Sequence, residues 1–90
     1  KNIVYFILPF NESGPITVER ILKDLPNMTI SHSATTTLSG IPSITFFGDI
    51  VGLGDTFETW VIYKNKLYQI MTSQSQEKLL LEVLNTWKWE

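Results

Sequence analysis

Between Met28 and Thr72 the apolar residues recur at every second position, whereas on either side they recur at i, i+3, i+4 and i+7. That order of periods builds strands into a sheet and lays a helix against it from each flank. On the N-terminal flank Val18, Ile21, Leu22 and Leu25 form a helical stripe, with Thr17 placed to cap its start and Pro26 to stop it. On the C-terminal flank Leu80, Val83, Leu84 and Trp87 form the second stripe. Ser73 and Gln76 precede it at the spacing of a capping box. Ahead of both, Ile3-Val4-Tyr5-Phe6-Ile7-Leu8 is apolar without a break and closed by Pro9. Such a run reads as a strand covered on both faces or lying centrally in its sheet.

Within the alternating stretch, Met28, Ile30, Ala34 and Leu38 share one parity, opposed by Thr29, Ser31, Ser33, Thr35 and Thr37. This is the pattern of a half-buried antiparallel strand with a wet, threonine-rich face. His32 has the parity of Ile30 and Ala34, which places it on the apolar face as a hydrogen-bonded structural residue rather than a ligand. Ser39-Gly40 makes a tight turn in which Gly40 adopts positive φ. The strand Ile41–Phe47 follows, and Gly48–Asp55, with glycines at 48, 52 and 54, reads as a loop. Phe57–Tyr63 and Leu67–Met71 are the arms of a hairpin with Lys64-Asn65-Lys66 at its tip. Trp87-Lys88-Trp89 leaves the last helix as an extended segment. The order is β-α-β-β-β-β-α, class α+β: a mostly antiparallel sheet with Ile3–Leu8 inside it and two helices packed against it.

The 90 residues suffice for one core and show no linker or repeat, so residues 1–90 read as a single domain. The chain opens on Lys1-Asn2 without a methionine, as an excised or processed part of a longer protein would. An unpaired strand edge would then be exposed, which leaves a monomer and an edge-paired dimer as alternatives. No apolar run approaches the length of a transmembrane helix. Nine acidic against seven basic residues, with the basic ones dispersed, give no electrostatic footprint for nucleic acid. With no cysteine and one histidine, disulfides, thiolate catalysis and cysteine-based metal sites are excluded.

From residue 28 onward the sequence resembles the PsbP-like family. The likeness is carried by Leu38-Ser39-Gly40-Ile41-Pro42 after a Thr-rich strand, by the aromatic hairpin positions Tyr63, Tyr68 and Ile70, and by the ending Val83-Leu84-Asn85-Thr86-Trp87-Lys88-Trp89. It covers about residues 28–89; the family's N-terminal hairpin, with its Tyr-Pro and nearby Trp, has no counterpart here. The resemblance implies an α-β-α sandwich exported from the cytoplasm, secreted or membrane-anchored. It implies a non-catalytic accessory or interaction role with another protein as partner, as for the members that assist photosystem II. It supplies no catalytic residue and no cofactor.

The residues themselves keep other roles open. Asp49, Asp55 and Glu58 flank the glycine-rich segment and could hold a divalent ion weakly, or serve a hydrolase as paired carboxylates. Turn-forming acids explain them as well, and their spacing is not that of a calcium loop. Gly52-Leu53-Gly54 lacks the lysine and third glycine of a phosphate cradle. Aromatic abundance alone suggests a small-ligand binding module. Trp60 and Trp89 are candidate anchors for a partner protein, with burial in the core as the competing assignment. Asn11-Glu12-Ser13 and Asn27-Met28-Thr29 are glycan acceptors in a secreted chain.

Overall fold

The computed structural model describes residues 3–12, 15–50 and 54–89. Its elements in chain order are β1 (Ile3–Pro9), α1 (Val18–Asp24), β2 (Ser31–Leu38), β3 (Ile41–Ile50), β4 (Gly54–Tyr63), β5 (Lys66–Ser73), a 3-10 turn (Gln74–Gln76) and α2 (Glu77–Asn85). The five strands form one antiparallel sheet in the order β1-β5-β4-β3-β2. The α+β class and the order of elements are those expected from the two periods.

The hairpin turns follow from local chemistry. Ser39 and Gly40 take φ of 47° and 87°, and Lys64 and Asn65 take 51° and 64°. Paired positive φ values match the right-handed twist of the flanking strands and give the tightest reversals, β2 to β3 and β4 to β5. The described ends of the glycine-rich segment belong to strands rather than to a loop. Gly48 and Asp49 belong to β3 and pair with Thr56 and Asp55 of β4. Gly48 is there for space: a Cβ would lie 2.9 Å from the Met28 methyl and 3.3 Å from a Glu58 carboxylate oxygen. Gly52 and Leu53 lie outside the described residues.

Each helix covers a different face. Ile16 and Ile21 pack with Ile44, Phe46, Trp60 and Leu67 on one face. Leu80 packs with Leu38, Phe57, Val61 and Ile70 on the other. Trp60 and Val61 are neighbours in sequence yet belong to different clusters, as strand alternation requires. Thr17 caps α1, its hydroxyl accepting from the Arg20 N–H at 3.2 Å. Ser73 makes no cap bond and instead leads into the 3-10 turn, which delays α2 to Glu77. Beyond α2, Trp89 Nε1 donates to the Leu38 carbonyl at 2.8 Å and the Ser39 hydroxyl donates to the Trp87 carbonyl. The C-terminal segment is thereby tied to the β2–β3 turn.

Three expectations are corrected. β1 lies at the edge of the sheet, not inside it, and Val4 to Leu8 remain 41–58% exposed. Strands β2 to β5 follow one another as neighbours, so that meander offers β1 only its outer edges, and β1 takes the one on β5. β2 is a second edge with only Leu38 buried. Its parity is broken by a register shift between Ser31 and Ala34. Consequently Met28 and Ile30 join the α1-side cluster whereas Leu38 joins the α2 side. His32 sits in that irregularity at φ 55°, exposed, its ring 5.2 Å from that of Phe47.

Candidate binding groove

Helix α1 is seven residues long and covers only part of its face. After Asp24 the chain turns through Leu25-Pro26-Asn27 to Met28, and between this turn and the β1 side of the sheet lies a groove of about 580 Å³. Val4 and Phe6 of β1 with Gln69 and Met71 of β5 form one wall, and Glu58 and Trp60 of β4 form the floor. The lining is mostly apolar, with acidic side chains of Asp24, Asp49 and Glu58 and no lysine or arginine.

Glu58 is the unusual residue. It is wholly buried, and β4 alternation puts it on one face with Thr56 and Trp60. Its Oε1 accepts from Trp60 Nε1 at 2.9 Å and its Oε2 from the Thr56 hydroxyl at 2.7 Å. A buried carboxylate is tolerable only when its oxygens are bonded, and here each takes a donor from its own strand. Arg20 forms two ion pairs, Nε to Glu12 at 2.7 Å and Nη1 to the groove-lining Asp24 at 2.8 Å. Arg20 also stands 4.9 Å over the Phe10 ring. Its hydrogen bond holds the Glu12 carboxyl below its ordinary value, and the bonds to Glu12 and Asp24 raise the guanidinium. The sequence signal for the Glu58 arrangement is Thr56-x-Glu58-x-Trp60, an acid with a donor two residues away on each side.

The three acids considered together in the sequence do not converge. Asp49 and Asp55 are cross-strand partners, both exposed, while Glu58 has the opposite parity to Asp55 and is buried on the α1 face. No group of three or more His, Asp or Glu side chains among the described residues is placed to hold a metal ion. Asp49 lines the groove together with Glu58, whereas Asp55 does not.

Trp60 is buried, and Trp87 and Trp89 are half-buried in an aromatic cluster. Trp60 is 4% exposed and meets Phe46 edge-on at 5.8 Å. Trp89 stacks on Tyr63 at 4.1 Å and meets Tyr68 at 5.0 Å and Trp87 at 5.6 Å. Val4, Tyr5, Phe6, Ile7 and Leu8 of β1 are exposed in one run, and Leu25, Leu79 and Leu81 are exposed singly. Asn11 and Asn27 are exposed as well, Asn27 at the groove. Among the described residues no helix is long and apolar enough to cross a membrane.

Comparison with protein-family models, with curated proteins and with solved structures finds no match in any of the three.

Proposed function

We propose that this protein is a non-catalytic accessory domain of PsbP-like type, working outside the cytoplasm by binding another protein chain. One observation carries the interaction reading: the most apolar strand of the chain stands at a sheet edge with five consecutive large side chains open. Scattered exposed apolar residues are ordinary; a contiguous strand of them beside a free edge is the feature that interaction surfaces share. The PsbP-like reading is supported by the order of elements, by a helix on each face, and by the meeting of Tyr63, Tyr68, Trp87 and Trp89 in one cluster. The extracytoplasmic placement follows from that likeness, and the two sequon asparagines are accessible to modification. The test is a photo-crosslinking residue, benzoylphenylalanine, installed at Phe6 or at Thr36 in the producing cell. The interaction reading expects a discrete adduct from position 6 and none from position 36. Equal labelling, or none at position 6, overturns it.

The groove favours a second reading, a small-ligand module. Its volume is within the usual range for ligand pockets, and an apolar lining with acids and no base suits a hydrophobic amine. A thermal-shift series of alkylamines tests it: a ligand at about 100 times its dissociation constant adds about 2.7 kcal/mol. Unchanged melting across the series removes this reading.

A further inference from the structure

We infer that β1 pairs with β1 of a second copy of the chain, antiparallel across a two-fold axis at Phe6, joining the two five-stranded sheets into one. This rests on the reading of the β1 side as a protein-binding surface and names its occupant.

The direction of each backbone group on β1 follows from the ladder to β5. The Phe10 N–H donates to the Asn65 carbonyl at 3.0 Å, and the register runs from Pro9 opposite Lys66 to Ile3 opposite Thr72. Bonded and non-bonded pairs alternate along an antiparallel ladder. Leu8, Phe6 and Val4 therefore turn their N–H and C=O groups toward β5, while Ile3, Tyr5, Ile7 and Pro9 turn theirs outward. Pro9, which has no N–H, falls on the outward side, where β5 loses nothing by it.

Two copies can pair only if outward residues face outward residues. An axis at Phe6 meets that condition and overlays the strand on itself along its whole length. Tyr5 and Ile7 then exchange bonds with Ile7 and Tyr5 of the second copy, and the Ile3 N–H meets the Pro9 carbonyl. The side chains suit the same register. Phe6 faces Phe6 and Val4 faces Leu8 on the α1 face, with Tyr5 facing Ile7 on the other. Residues 3–10 carry no charge, so the overlay sets no like charges opposite one another. An axis perpendicular to the sheet keeps both α1 faces on the same side. The second copy's Phe6 and Leu8 then extend the β1 wall of each groove.

The exposed side chains of β1 amount to roughly 400 Å² per copy, about half of what a standard interface buries per partner. Pairing is therefore weak, a dimer that forms in the micromolar range or above and dissociates on dilution.

Sedimentation equilibrium of the purified protein from low micromolar to millimolar concentration is the test, with hydrogen exchange read at Tyr5 and Ile7. We expect a concentration-dependent dimer in which those two amides are protected. Ile7→Pro deletes an outward N–H and leaves the β5 ladder intact, and Tyr5→Lys places charge on the edge. Each should weaken association about tenfold or more, while Thr36→Lys on β2 leaves it unchanged. A monomer at every concentration, or a dimer indifferent to both β1 variants, overturns the proposal. If the purified protein stays monomeric and crosslinking from position 6 yields an adduct with a different chain, the second-copy proposal fails and the interaction reading survives. If there is no adduct either, both fail.

Discussion

The two edges of this sheet are built on opposite terms. β2 exposes serine and threonine, is kinked by a register shift at Ser31–Ala34, and carries His32 at positive φ in the kink. These features discourage another strand from docking. β1 has an even register against β5, an uninterrupted apolar sequence, and a single proline at its end. An edge blunted by polarity and irregularity beside one left regular and apolar shows that the open side of this domain is directional. The contrast is also why the groove matters, because its outer wall is the unguarded strand.

The largest effect should erase the contrast. Phe46 is wholly buried in the α1-side cluster on β3, between the two edges. Phe46→Ala should remove about 3–5 kcal/mol, and hydrogen exchange should then quicken on β1 and β2 together. Loss confined to one edge would show that the strands are not one cooperative unit. Next, Glu58→Ala strands the Trp60 N–H and the Thr56 hydroxyl in the interior, an effect of about 2–4 kcal/mol in chemical denaturation. Glu58→Gln retains one carbonyl acceptor and should lose less; equal losses would mean that the carboxylate's second oxygen is immaterial.

A smaller change should sharpen the difference between the edges. Trp89→Phe keeps a ring against Tyr63 but deletes the bond to the Leu38 carbonyl, worth about 0.5–1.5 kcal/mol. Amides at the Leu38 end of β2 should exchange faster while those of β1 hold. The smallest effect is a pH response near α1. Arg20 holds the Glu12 carboxyl below its ordinary value of 4.5, so the stabilisation is complete above that pH and is lost as the pH falls through the lowered value. Melting temperature should therefore drop slightly more on acidification in the native chain than in Glu12→Gln.

Much of this architecture is legible in local pattern. The stripes beginning at Val18 and Leu80 report helices because a 3.6-residue period sets side chains on one face. Leu25 and Trp87 nevertheless lie beyond the helix ends, and Leu25 is exposed. Ser39-Gly40 and Lys64-Asn65 report their turns because few residue pairs accept two positive φ values. Strand alternation sets Glu58 and Trp60 on one face of β4. It could not reveal that Asp55 is the cross-strand partner of Asp49, because that register is set between two strands rather than within one. His32 was misplaced for a related reason, since one register shift reverses every parity argument behind it.

The amino-acid sequence by itself determined the kinds of element, their order and the tight turns, since each depends on residues a few positions apart. Only the tertiary structure decided which strands have neighbours. A run such as Ile3–Leu8 states that both of its faces favour burial, but not what lies beside it. Strand adjacency depends on pairing between distant segments, and the successive neighbours β2 to β5 closed the interior positions to β1. The buried place of Glu58 has the same origin: its two donors are local, but the Met28 and Gly48 that close over it come from other parts of the chain.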